Sequence, residues 1–199
     1  FSKDGKHSCP QIFLGLLVTT GGNPIGYGIY EGNIHEGKTL VPMIKDLAGR
    51  HGFDHPVVIA DAGLLSKKNI EDLEAEKYEY ILGARVKSET AEVKEAILGM
   101  NLEDGDVRCI DKANGVRLIV SMSYKRAAKD EAMRKKGLQR LEKRFQTGKL
   151  TKANVNNRGY NKYLKMDGDV SVTIDMDKFN ADAAWDGIKG YVTNTKLSD

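Results

Sequence analysis

Apolar residues along the chain switch between two periodicities, and the switches mark out the elements. Residues 11–20 (QIFLGLLVTT) form a nearly unbroken apolar run, the mark of a buried strand, and Gly21-Gly22-Asn23-Pro24 after it is strong turn chemistry. Residues 25–31 (IGYGIYE) read as a second strand, so the two form an antiparallel hairpin. Leu40, Val41, Met43, Ile44, Leu47 and Ala48 then recur at helical spacing and predict an amphipathic helix over 38–50. Pro56 precedes a short buried strand at 57–60 that ends at Asp61. Ser66 caps the next helix, with Leu65 and Ile70 placed as a hydrophobic staple. Residues 78–84 (YEYILGA) read as another strand.

Strand, strand, helix, strand, helix, strand is an α/β order, and the leading hairpin makes the strand directions mixed. Beyond Arg85 the pattern loosens. A short helix reads over 90–98 and ends at Gly99, and 116–122 (VRLIVSM) reads as a strand. A long helix spans 125–145, with a thin apolar stripe at Ala128, Ala132, Leu138, Leu141 and Phe145. Residues 147–162 (TGKLTKANVNNRGYNK) are polar with little periodicity and read as a loop. Residues 170–174 alternate as a strand, and 190–193 is the last.

Composition narrows the class. A chain of 199 residues makes one domain, or one domain with a sizeable insertion, and 40% hydrophobic with 30% charged residues fits a soluble globular protein. No apolar run reaches the ~18 residues of a membrane span, and the polar, basic start carries no signal-peptide pattern. Cys9 and Cys109 are too few for a disulfide framework, which points to the cytoplasm. The chain starts at Phe1 without an initiator Met, so it reads as a piece of a longer protein.

Net charge is only +3, yet 125–165 holds 14 Lys or Arg against three acids, Asp130, Glu131 and Glu142. Such a block is either a phosphate-binding surface or a solvated helix face followed by a flexible basic loop.

Two motifs compete to carry chemistry. Gly32-Asn33-Ile34-His35-Glu36-Gly37-Lys38-Thr39 satisfies the G-x-x-x-x-G-K-[ST] pattern of a phosphate-binding loop, between a predicted strand and a predicted helix. The run VVIAD, ending at Asp61, would then serve as the Walker B carboxylate for Mg²⁺ in a P-loop nucleotide-binding protein. Against this, Glu36 places a carboxylate where backbone N–H groups should face an anion. The preceding strand also belongs to a tight hairpin, whereas such loops follow a strand of a parallel sheet. The plain reading is that Asn33 caps the helix and the glycines shape the turn. The second motif is VVIADAGLLS at 57–66, in which an apolar strand delivers Asp61 at its carboxyl end, where α/β folds place their chemistry. Alone, an aspartate there is more often a turn cap.

Context changes that balance. FSKDGKH at 1–7, QIFLGLLV at 11–18, YEGNIHEGKTL at 30–40, VVIADAGLLS at 57–66 and YILGAR at 80–85 resemble the DDE transposases of bacterial insertion sequences. RLIVSMSYKRAAKDEAMR at 117–134 and DGIKGYVTNT at 186–195 are similar as well, so the resemblance runs in order along almost the whole chain.

The resemblance implies a ribonuclease-H-like mixed sheet flanked by helices. A partial catalytic core lies at 1–85, an α+β insertion at 86–187 and a return towards the core at 188–199. It also implies a triad of Asp, Asp and Glu holding two Mg²⁺ ions for DNA cleavage and strand transfer. Asp61 corresponds to the second Asp, as catalytic residue and metal ligand. The first Asp would precede Phe1 and the Glu would follow Asp199. Asp4, in a polar stretch, is not assigned to the first role, and no acid near the C-terminus is assigned to the last. One carboxylate cannot hold a catalytic pair of cations, so these residues alone are expected to be inactive and to bind no metal. The first strand is central in such sheets. Its absence predicts a sheet closed around the gap or a paired assembly such as a homodimer. The basic helix would contact DNA through Lys125, Arg126, Lys129, Arg134, Lys135, Lys136, Arg140, Lys143 and Arg144. A noncatalytic DNA-binding module is the reading that rests on the basic segment alone.

Overall fold

A computed structural model describes residues 12–31, 36–53, 56–63, 66–168 and 171–196. Strands β1 (Ile12–Val18) and β2 (Pro24–Glu31) form the expected antiparallel hairpin, with Gly15 opposite Gly28 and an irregularity at Leu17/Val18. Their turn closes through Thr19 N–H donating to the Asn23 carbonyl at 2.9 Å. Helix α1 (Glu36–His51) follows, with Leu40, Met43, Ile44, Leu47 and Ala48 all buried, as their spacing predicts.

Strand β3 (Val58–Ala60) is short, and α2 (Lys67–Ala75) begins at Ser66, whose side chain accepts the Asn69 N–H at 3.1 Å. Leu65, the partner expected in the staple, lies outside the described residues. Strand β4 (Tyr80–Ala84) pairs in parallel with β3, Val58 opposite Tyr80 and Ala60 opposite Leu82. After a single 3-10 turn at Val86–Ser88 come α3 (Ala91–Gly99), capped by Thr90, then β5 (Val107–Asp111) and β6 (Arg117–Met122). Helix α4 (Tyr124–Gln146) is capped by Ser123; the hairpin β7 (Leu164–Asp167) and β8 (Ser171–Ile174), helix α5 (Met176–Asp182) and β9 (Ile188–Thr193) complete the order.

The fold is therefore α/β. Among the described residues there is a five-stranded sheet of order β3-β4-β9-β6-β5 and two separate two-stranded sheets, β1-β2 and β7-β8. The chain divides into two compact units. One comprises Phe1–Arg85, Cys109–Ile119 and Tyr191–Asp199; the other comprises Val86–Arg108 and Val120–Gly190.

In the first unit, among the described residues, the hairpin does not pair with β3. Between them lies an apolar slot of about 160 Å³, lined by Leu14, Leu16, Met43, Leu47, Val57 and Ile59 among others. The apolar run of β1 is also buried on one side only. Gly15 is buried near Met43 and Leu47 of α1, whereas Ile12, Leu14 and Leu16 on the other side are more than half exposed.

Asparagine 194 fastens the far end of this unit. Its side chain accepts the Tyr80 N–H at 2.8 Å and donates to the Tyr78 carbonyl at 3.1 Å, which imitates a strand partner. Thr193 Oγ1 donates to the Tyr80 carbonyl at 2.6 Å beside it.

In the second unit Leu141 of α4 joins Tyr163, Leu164, Val172 and Phe179 in one apolar cluster. The inward line of α4 is Arg134, Gly137 and Leu141; of the stripe read from the sequence Leu141 is buried and Leu138 packs against the cluster, whereas Ala128, Ala132 and Phe145 are exposed. The reason is Tyr160, whose ring lies against the helix at Gly137, where a β-carbon would come within 2.1 Å of it. A mid-helix glycine costs about 1 kcal/mol in propensity, and here it admits an aromatic ring. The segment expected to be loop thus contributes core. It contains 3-10 turns at Lys152–Asn154 and Gly159–Tyr163, and its Leu150, Val155 and Tyr160 pack against the cluster. Among the described residues, no helix is long and apolar enough to cross a membrane.

Candidate functional site

Asp61 stands directly after β3, at the carboxyl end of a strand that runs parallel to its neighbour. Its Oδ1 accepts the Gly63 N–H at 2.7 Å, a local turn that fixes the carboxylate's direction. The residue is exposed, and among the described residues its other oxygen holds no hydrogen bond. An oriented carboxylate with one oxygen free is the donor that a hard divalent cation takes.

Two residues of β4 and its exit shape that turn. Gly83 faces it so closely that a β-carbon would sit 2.8 Å from the Ala62 nitrogen and 3.2 Å from the Asp61 carbonyl carbon. Arg85 donates through Nη2 to the Ala62 carbonyl at 3.0 Å, tying the strand exit to the turn. Sequence reasoning gave neither residue a role, although both lie in the YILGAR motif. The signal available was a glycine inside a strand, which marks a close approach of backbone.

Asp61 by itself offers one hard carboxylate donor. Among the described residues, no three His, Cys, Asp or Glu side chains gather into a metal-binding group. Asp4, set aside from the sequence, lies outside the described residues.

Gly32–His35 of the phosphate-loop pattern lie outside the described residues; among the described residues the strand before them, β2, pairs with its antiparallel neighbour β1 and with no parallel strand.

The nine cations singled out on the basic helix fall into distinct environments. Arg134 is buried and bonds through Nη2 to Asp186 Oδ2 at 2.5 Å. Its guanidinium carbon lies 4.9 Å from the centroid of the Phe179 ring, and its buried Nε has no hydrogen-bond partner. The bond to Asp186 raises the guanidinium's pKa, against the opposing effect of burial. Arg126 pairs with Asp130 at 3.4 Å and Lys135 with Glu131 at 2.6 Å, each one turn along the helix. Arg144 is half-buried. Lys125, Lys129, Lys136, Arg140 and Lys143 are exposed and make no ion pair among the described residues.

A second charged cluster, which the sequence did not reveal, centres on Asp182. Its Oδ1 takes Lys87 Nζ at 2.5 Å, and its Oδ2 takes Lys162 Nζ at 2.7 Å and the Tyr163 hydroxyl at 2.5 Å. Burial pushes the carboxyl pKa up, but the bonds from Lys162, Lys87 and Tyr163 overcome it and hold the group well below the usual carboxylate range. Burial and the same bond raise the Tyr163 phenol.

No curated protein and no solved structure matches the chain. A family model described as the transposase DDE domain matches residues 2–187. That span takes in the β3–Asp61 turn, β4 with Gly83 and Arg85, and the basic helix alike, and the chain accordingly belongs to the transposase DDE domain family.

Proposed function

We propose that this chain takes part in the cleavage and strand transfer of an insertion sequence, with Asp61 as one of three carboxylates that hold paired Mg²⁺ ions. The observation that supports this most directly is Asp61 itself. It is exposed at the carboxyl end of a parallel strand, oriented by Gly63 N–H, and it has an oxygen to spare. The order hairpin, helix, strand, helix, strand around it fits a ribonuclease-H-like core. The segment that follows β4 fits an insertion.

Bound cations would supply activation of water or a 3′-hydroxyl on one side of the scissile phosphate and stabilisation of the leaving oxygen on the other. The work of this chain's own residues is positional. Gly63 aims the carboxylate, Gly83 leaves room for the turn, and Arg85 holds its backbone. Asp61 is a ligand by charge and hard oxygen, so an amide in its place keeps the shape and loses the function.

The test is an excision assay in cells carrying the element whose gene encodes this chain. Asp61→Asn abolishes excision while the soluble yield of the protein is unchanged; wild-type excision by the variant overturns the assignment. Saturable ATP binding by the 199-residue chain, lost in Lys38→Ala, would favour the phosphate-loop reading instead.

A further inference from the structure

The five unpaired cations of α4 lie on one side of it. At 100° per residue, Lys125, Lys129, Lys136, Arg140 and Lys143 fall within about 60° of the helix circumference. The buried line of Arg134, Gly137 and Leu141 lies on roughly the far side. No acid falls within the stripe: Asp130 and Glu131 lie outside it and pair with Arg126 and Lys135, and Glu142 lies about 100° round the helix from Lys143. The gap between Lys129 and Lys136 is filled by Ala132, a small exposed residue. From Lys125 to Lys143 the stripe is about 27 Å long at 1.5 Å per residue. One strand of duplex DNA presents a phosphate about every 3.4 Å along the axis, so the stripe is long enough to follow several phosphates.

The chemistry of the stripe decides what it can read. Four of its five members are ammonium groups, point charges with donors only. Base edges are read by Asn or Gln at adenine and by Arg or Lys at guanine, and of these only Asn, Gln and Arg carry a planar paired head. Within the stripe only Arg140 has such a head, and the exposed Gln139 lies outside it, about 40° round the helix beyond Lys143. A long positive face made mainly of ammonium groups offers charge to the phosphate backbone, which carries no sequence information.

We propose that this stripe is a sequence-independent track for the phosphate backbone of duplex DNA, formed by these five residues and not by Arg126, Arg134 or Lys135. The proposal deepens the DNA-acting reading above and rests on it.

The experiment measures binding of the 199-residue chain to two fluorescent 20-bp duplexes of unrelated sequence, one A·T-rich and one G·C-rich, across a salt series. A variant with all five residues changed to Gln is compared with a control in which Lys67, Lys68, Lys77, Lys94 and Lys178 are changed to Gln. Thermal unfolding of each is followed by circular dichroism. Counterion release contributes about 0.9 to the log–log salt slope per phosphate neutralised. The stripe variant should therefore lose about 4.5 from the slope, equally on both duplexes, with its unfolding midpoint retained and the control's slope changed far less. A fivefold Lys or Arg variant of the stripe (Arg140→Lys, the others to Arg) should restore the slope, which separates charge loss from misfolding. Equal losses in stripe and control variants overturn the proposal, as does an unequal loss on the two duplexes. Displacement of duplex by polyglutamate at equal charge concentration also overturns it, since the stripe would then be a general polyanion face. None of these failures touches Asp61, whose excision assay tests the catalytic reading separately.

Discussion

Gly83 leaves open the space into which the backbone turns after Asp61. Any β-carbon at this position would lie 2.8 Å from the Ala62 nitrogen, a distance that real side chains do not show. Because the obstacle is backbone on both sides, it cannot swing away as the end of a flexible side chain would. Gly83→Ala must push β4 and the Asp61 turn apart. Overpacking of this kind costs about 1–3 kcal/mol. The expected result is a lower unfolding midpoint in urea, with m unchanged, together with loss of excision in the cellular assay. An alanine variant as stable and active as the wild type would show that the turn yields freely.

Asn194 gives a second prediction, on stability alone. Its amide satisfies one donor and one acceptor of the β4 region, the Tyr80 N–H and the Tyr78 carbonyl. Asn194→Ala leaves both half-buried groups to find water or go unpaired, at about 1–3 kcal/mol for each group that stays buried. Asn194→Asp keeps the acceptor for Tyr80 and loses the donor to Tyr78, so it should fall between wild type and alanine in chemical denaturation. Equal stability of all three variants would mean that the two backbone groups are already solvated.

These two residues show where the sequence was legible. The hairpin, α1, β3, the Ser66 cap and β4 followed from periodicity and turn chemistry, because each buries one clean face or ends on a strong signal. Asp61 was legible because an apolar strand stops on it. Gly83, Arg85 and Asn194 were not, since their partners are backbone groups that no side-chain pattern encodes. Strand β5 (VRCID) was missed because Val107 and Arg108 are both exposed, which erases the alternation. Helix α5 buries Phe179 alone in seven residues, too little for a period to register. On α4 the inward positions include an arginine and a glycine, so an apolar count found Leu138 and Leu141 but missed Arg134 and Gly137.

The Asp182 cluster predicts how the second unit responds to acid. The folded-state pKa of Asp182 is depressed below the unfolded value of about 3.9. Its contribution to stability is therefore complete above that value and is lost as pH falls through the lower, folded pKa. Unfolding free energy should decline below about pH 4, and Asp182→Asn should flatten that decline. At pH 7 the same variant should be less stable by about 1–3 kcal/mol, since the buried Tyr163 hydroxyl and Lys162 lose their anionic acceptor. The sign would be wrong if the variant steepened the acid limb.

Association between copies is the last expectation, and it follows from the first unit's surface. Ile12 is 64% exposed, Leu16 57%, Ile29 58% and Ile59 73%, which puts large apolar side chains in water on both sides of the slot. Among the described residues, β3 has no strand on its outer edge, and the hairpin is a two-stranded sheet with both edges open. Open edges beside an apolar face are a template for pairing with another chain. The 199-residue chain should therefore run as a dimer or larger species in size-exclusion chromatography with light scattering at tens of micromolar. Lysine at two of these positions, Leu16→Lys with Ile29→Lys, should shift it to monomer, because each charge would have to be desolvated in the paired form. Both side chains lie on the exposed side of the hairpin, away from α1, so the substitutions leave the buried face of that helix untouched. A wild-type chain that stays monomeric at high concentration, with a cooperative unfolding transition, would show that the bare face is tolerated in water and that the open edges are not used.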